Sequence, residues 1–362
     1  MKILLCADEK SANTLAWAKG FRELGAEVTI ASVRAEKSSE GIIAIGNPLL
    51  PARLNFIFRS GKLRELISKI KPDILIGYRV TSYGYLCSCT GFHPLVLAAQ
   101  NEQITYLPKP NPLRKKILEY FASKAVAKAD LIHAWGKNML PRLRELGADE
   151  NKILVMHRGI DLDIFKPSLT KSVPNEPVFI STRSLFPGYR IPKILEAFRH
   201  VLEKYPNATL QIIGEGPERG KLINLANILG ISSKTSFLGK LPPRDVAAKL
   251  QNSDIYVSTI ETEGVSSSLL EACACGVYPI ITDMIASRAL IKDNHNGTLI
   301  SPSIASIGLA YNMTTAFENI ETRKKASRIN TAMIADNYDF KKNTSKFLSI
   351  YKELIKCVEY PV

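Results

Sequence analysis

Short apolar runs alternate with longer amphipathic stretches along almost the whole chain, and this rhythm leaves few folds open. "MKILLCA", "AEVTIAS", "DILIG", "HPLVLAA", "DLIHAW" and "KILVMH" follow one another, separated by helical spacings such as Leu15, Ala18 and Phe21. Strands this short and this apolar read as buried strands of a parallel sheet, joined by helical crossovers. "FKPSLTKSVPNEP" (165–177) then breaks the rhythm with three prolines and no periodicity, as a linker does. The pattern restarts with "VFISTR", "TLQIIG", "TSFLG", "DIYVST", "VYPIIT" and "GTLIS". The expected fold is α/β, with two doubly wound, Rossmann-like parallel-sheet domains at 1–167 and 168–338. Residues 339–362 are expected to form an amphipathic C-terminal helix that packs back on the first domain. A chain of 362 residues also exceeds what one core usually serves. Ligands of such sheets bind beyond the carboxyl ends of the strands, so a cleft faced by both domains is the expected site.

Composition narrows the function classes. The chain is 46% hydrophobic and 23% charged, as soluble domains are. No apolar run approaches the roughly 20 residues needed to span a bilayer, and the N-terminus lacks a secretory pattern; a cytoplasmic protein is expected. Cys6, Cys273 and Cys275 lie in apolar stretches, where cysteine acts as a small buried hydrophobe. The pairs Cys87/Cys89 and Cys273/Cys275 do not have the spacing of a strong zinc pattern, and no metal is assigned. The net charge of +14 is heavier in the first half, with clusters "KPNPLRKK" (109–116) and "RLREL" (142–146). No nucleic-acid-binding signature accompanies it. Cations at Lys109, Arg114, Lys115 and Lys116 oppose the dipole of the helix they begin, which points to an anionic partner such as a membrane surface.

"ETEGVSSSLLEACACG" (261–276) carries the chemistry. It follows the strand "DIYVST", so its first residues form a loop at a carboxyl end and "SSSLLEACAC" a helix. Ser266 or Ser267 is the N-cap and Gly276 the stop. The N–H groups of such a helix start make an anion site suited to a diphosphate. Gly264 allows close backbone approach. Glu263 in the loop and Glu271 inside the helix can each accept from two adjacent hydroxyls of a sugar or ribose. Arg183, in "ISTRSLFPGYR", ends a strand where a guanidinium can clamp a phosphate.

The same segment resembles the E-x7-E motif of retaining GT-B glycosyltransferases of family 4. "KPDILIGYRVTSYGY", "VMHRGIDLDIFKP", "LQIIGEGPERGKL", "SFLGKLPPRDV", "NHNGTLISP" and "NYDFKKN" resemble that family in order along nearly the whole chain. The resemblance implies a GT-B architecture and a nucleoside-diphosphate sugar as donor substrate, with no other cofactor and no metal. Glu263 would face the donor sugar and Glu271 the ribose. The N–H groups of Gly264, Val265, Ser266 and Ser267 would hold sugar and phosphate, with Arg183, Gly239 and Asn13 completing the site. The family's interdomain turn accounts for "DLD" (161–163), which is not read as a metal motif. "GEGPE" (214–218) is read as a turn lining the cleft.

The chain departs from the family in three places. The lysine that usually follows Arg183 falls near Tyr189, leaving Arg190 or Lys193 as the second cation. "ADEKSAN" lacks the paired glycines of many relatives. "QNEQ" stands where many relatives carry a histidine, with Gln100 in that slot near the reacting carbon and His133 or His157 as possible stand-ins. Transfer with retention in this family is thought to need no enzyme nucleophile, since the departing phosphate can take the acceptor proton while the protein stabilises charge. A metal-independent glycosyltransferase is therefore expected, acting on a lipid-linked saccharide or cell-surface polysaccharide precursor bound by the N-terminal domain. The alternative is a non-catalytic relative that binds a sugar nucleotide or a protein partner.

Overall fold

The computed structural model describes residues 1–99, 111–168, 176–261 and 264–359. They divide into two compact units, Met1–Arg158 with Phe340–Val362, and Gly159–Asp339. The first contains a parallel sheet of β1 (Lys2–Cys6), β2 (Glu27–Ser32), β3 (Ile42–Ala44), β4 (Ile74–Tyr78), β5 (Leu95–Ala99), β6 (Leu131–Ala134) and β7 (Ile153–Val155). Its spatial order is 3-2-1-4-5-6-7. The second contains β8 (Val178–Ser181), β9 (Thr209–Ile213), β10 (Thr235–Gly239), β11 (Ile255–Ser258), β12 (Tyr278–Thr282) and β13 (Thr298–Ile300), in the order 10-9-8-11-12-13. Both are doubly wound Rossmann-like sheets. Each reverses direction beside its first strand, between β1 and β4 and between β8 and β11, and the carboxyl ends at such a reversal are where ligands bind.

β1 and β4 are buried on both faces except at Lys2, which is why their sequences run apolar without alternation. β3 and the helix Ala52–Phe58 were not expected from the sequence. Gly159–Pro167 belongs to the second unit, nine residues before the boundary drawn in the sequence. Ile160 N–H donates to Tyr338 O at 2.8 Å, and Phe165 is buried among residues of that unit. Asp161 accepts from the N–H of Asp163 at 2.9 Å, so the "DLD" carboxylate shapes a turn.

The last helix, Phe340–Glu359, packs in the first unit. Phe347, Leu348 and Tyr351 recur at helical spacing and join the first unit's core. They meet a buried aromatic cluster around Trp17, whose ring centroid lies 5.4 Å from Phe21, 5.9 Å from Tyr78 and 5.8 Å from Phe347. Both tryptophans of the chain, Trp17 and Trp135, are in this unit, so tryptophan fluorescence reports its unfolding selectively. Phe347→Ala should destabilise the fluorescence-detected urea transition by about 3–5 kcal/mol, as core Phe truncations do. A change below about 1 kcal/mol would mean that the last helix only leans on the surface.

Candidate functional site

The second unit brings its sequence-predicted cation and its helix start together. Arg183 leaves the carboxyl end of β8, and the helix Ser267–Ala274 begins just past the carboxyl end of β11, the neighbouring strand at the reversal. Ser266 is the N-cap: its Oγ accepts the N–H of Leu269 at 3.4 Å. The helix stops at Gly276, where φ is +75°. There the N–H of Gly276 donates to Cys273 O and that of Val277 to Ala272 O, the paired bonds of a left-handed helix end.

Arg183 is only 5% exposed. Its Nη1 donates to Ser266 Oγ and Ser268 Oγ, which lie 3.0 Å apart, and Tyr256 Oη lies 2.9 Å from Ser268 Oγ. The Tyr189 ring covers one face of the guanidinium, with Cζ 4.6 Å from the ring centroid. Hydroxyls and an aromatic face thus fix a permanent positive charge beside the first N–H groups of a helix, which lack intrahelical acceptors. Both features favour an anion. Gly214 closes the other flank: a Cβ there would lie 2.1 Å from Arg183 O, and its φ is +149°. The N–H of Gly214 donates to Gly239 O at 2.8 Å, and that of Leu185 to Glu215 O at 3.0 Å. The "GEGPE" turn therefore locks against the backbone that carries Arg183.

Gly264 and Ser266 line a small crevice together with Ser258, Met284 and Ser287. Val265 packs against the core, and Ser267 occupies the first helical turn. Glu271 is half-buried one turn further along that helix, on the face of Ser267 and Ser268. Arg190 takes another direction: its Nη1 donates to Pro302 O at 2.8 Å and its Nε lies 3.5 Å from Glu261 Oε1. Lys193 Nζ donates to Ile304 O, and burial followed by the charge of Arg190 lowers its pKa. The sequence reading missed Tyr189, Tyr256 and Ser268. The three-serine run was the only available signal for Ser268, and nothing local distinguishes the two tyrosines. Glu263 and Gln100 lie outside the described residues.

In the first unit, Asn13 Oδ1 accepts from Arg158 Nη2 at 2.8 Å. At the carboxyl ends of β1, β2 and β4, Ser32 Oγ donates to Glu9 and lies 3.0 Å from Tyr83 Oη. The two candidate stand-in histidines are core residues. His133 Nε2 donates to Met156 O, and its ring packs 4.2 Å from that of Phe347. The His157 ring meets Trp135 edge-on at 5.1 Å. Cys273 and Cys275 are buried in the second unit's core, which pushes both thiols up to about 12 and keeps them protonated.

Residues 166–333 match the family model of glycosyl transferases group 1, and residues 2–133 match that of glycosyl transferase 4-like proteins. The chain belongs to the family 4-like glycosyltransferases. It is 27% identical over 197 residues to the UDP-Gal:alpha-D-GlcNAc-diphosphoundecaprenol alpha-1,3-galactosyltransferase of Escherichia coli, across 51% of this chain and 50% of that protein. The chain thus spans about half the length of the first curated relative it matches. Among solved structures, a Rickettsia africae glycosyltransferase superposes with a TM-score of 0.78 over 98% of both chains at 21% identity. Anabaena Alr3699/HepE in complex with UDP gives 0.78 over 98% of this chain and 100% of that one, at 16% identity. The fold of this family 4-like glycosyltransferase is therefore GT-B.

The two buried histidines give the protein a defined acid response. Burial lowers His133 to about 4 and His157 well below its ordinary value, whereas an unfolded chain titrates histidine near ~6.5. The unfolded state takes up these protons first. Their contribution to stability is complete above about pH 6.5 and is lost as pH falls toward 4, by ~1.4 kcal/mol per pH unit for each histidine. Urea unfolding followed by tryptophan fluorescence from about pH 7.5 down to 5 should show this decline, and His133→Phe should flatten part of it. An unchanged slope in that variant would assign the decline to other groups.

Proposed function

We propose that the chain is a glycosyltransferase that moves a sugar from a nucleoside-diphosphate sugar to a lipid-linked saccharide or cell-surface polysaccharide precursor. One observation carries this reading: the Arg183 guanidinium, clamped by Ser266, Ser268 and Tyr189, stands at the start of the helix Ser267–Ala274. Such a pair suits the diphosphate of a donor, and it can stabilise the charge that develops on the departing phosphate. Glu271, one turn along the same helix, suits the ribose diol, and Glu263 the donor sugar. Gly264, Val265, Ser266 and Ser267 would offer main-chain N–H groups to sugar and phosphate. Arg190, tied to Glu261, serves as a second positive group at the rim. The transfer proceeds without metal and with retention, the departing phosphate accepting the acceptor's proton.

The first unit is the acceptor domain in this reading, with the Glu9, Ser32 and Tyr83 network and Asn13 at its carboxyl edge as polar contacts. The activity of the Escherichia coli relative, on a diphosphoundecaprenol-linked sugar, supports a lipid-linked acceptor. No helix of the described residues is long and apolar enough to cross a membrane, so such an acceptor would be met at a membrane surface.

Isothermal calorimetry tests the donor site. Arg183→Ala and Glu271→Ala should each weaken nucleoside-diphosphate binding by about 1.5–3 kcal/mol, on the order of tenfold to a hundredfold. Glu263→Ala should impair sugar-nucleotide binding or turnover and spare the bare nucleotide. Unchanged affinity in both Arg183→Ala and Glu271→Ala would refute the assignment. Donor binding without transfer to lipid extract, with or without divalent metal, would make the chain a binding protein.

A further inference from the structure

The helix Pro112–Ala127 in the first unit has its apolar residues on two opposite sides. Ala122, Ala125 and Val126 are buried against the unit. At about 100° per residue, Leu113, Ile117 and Tyr120 form a second stripe facing away from those three. That stripe is in solvent: Leu113 is 70% exposed, Ile117 45% and Tyr120 56%. Arg114 and Lys116 flank it, and Lys124 Nζ extends it from 5.7 Å above the Tyr120 ring, whereas Lys115 falls on the other side of the helix. Folding of the unit does not use these side chains.

A second exposed patch shares the same support. The segment 79–88 carries Tyr85, stacked on Phe121 of this helix with ring centroids 4.1 Å apart. The same segment carries Tyr83, which meets Phe56 of the helix Ala52–Phe58 edge-on at 4.9 Å. Next to Phe56, Phe58 is 65% exposed, and Leu49, just before that helix, is 89% exposed. Arg53 is exposed on it as well. Among the described residues, Arg53, Arg114, Lys115 and Lys116 take part in none of the ion pairs, and the carboxylate of this stretch, Glu119, is held by Arg142 at 2.6 Å. The helix stripe therefore combines aliphatic and aromatic side chains with cations that, among the described residues, are held in no ion pair.

We infer that the stripe of the helix Pro112–Ala127 docks on an anionic phospholipid bilayer, with Leu113, Ile117 and Tyr120 entering the headgroup boundary and Arg114, Lys116 and Lys124 meeting lipid phosphates. A protein partner could match the apolar stripe, but the excess of exposed cations around it is complementary to a sheet of negative charge. Binding of such a helix face strengthens with both the apolar area it buries and its attraction to anionic lipid. The inference deepens the proposed lipid-linked acceptor, yet it is measured without donor or acceptor, so either can fail while the other stands.

The test is co-sedimentation of the full chain with phosphatidylglycerol/phosphatidylcholine vesicles and with pure phosphatidylcholine vesicles. The protein should pellet with the first and remain in solution with the second, and rising salt should weaken the binding. Arg114→Ser with Lys116→Ser and Lys124→Ser should lower the partition coefficient on the order of a hundredfold. Leu113→Ser with Ile117→Ser should lower it on the order of tenfold and remove the part that resists salt. These positions are exposed, so tryptophan fluorescence and nucleoside-diphosphate affinity should match the parent and verify folding. Absence of binding at low salt, equal binding to both vesicle types, or full binding by the aliphatic double variant would overturn the inference. So would a dimer in solution that the double variant dissociates, since a second copy would then occupy the surface.

Discussion

A guanidinium keeps its charge at any physiological pH, so burying Arg183 obliges the surrounding sequence to supply acceptors and an aromatic face. Ser266 and Ser268 supply the acceptors and Tyr189 the face. That single requirement ties four segments together. β8 delivers the arginine, the loop to the next helix delivers Tyr189, the helix after β11 delivers the serines, and the turn after β9 presses against the arginine's own backbone. Gly214 must lack a side chain for that last contact, because the carbonyl of Arg183 occupies the space a Cβ would need. The pairing of a buried guanidinium with a helix start in the second unit is thus a property of how the strand order reverses, rather than of one motif.

The cation at the end of β8, the helix start after β11 and its capping serine were all legible, because each rests on local pattern: a strand, a turn, a cap. Strand alternation also exposed the two sheets, since parallel strands buried on both faces have an unmistakable composition. Four things were hidden. Ile42–Ala44 is too short to establish a period, and the helix Ala52–Phe58 has too few turns to define a face. The passage from one unit to the other was drawn at the prolines, whereas the chain changes allegiance at Gly159, where a long-range bond from Ile160 to Tyr338 decides the matter. Tyr189 and Tyr256 gain their importance only from a guanidinium distant in sequence.

The histidines show how spacing alone misassigns a residue. His133 and His157 each lie at the end of a strand, where a reactive group belongs, but neighbouring rings seal both into the core. Position along a strand indicates which edge a residue reaches. Whether its side chain turns to the ligand or to the interior depends on what the next elements bring, and here the last helix brings Phe347.

That last helix has a further consequence for how the chain is made. The first unit is discontinuous: everything from Gly159 to Asp339 emerges between its sheet and its closing helix. During synthesis the second unit has all of its residues before the first has Phe347 or Tyr351 to place against Trp17. Until then the nascent first unit presents an aromatic cleft to water, and the second unit acts as a tether whose folded ends determine how readily the final helix finds it. A folded insert shortens that search, so prior folding of the part that follows favours completion of the N-terminal unit.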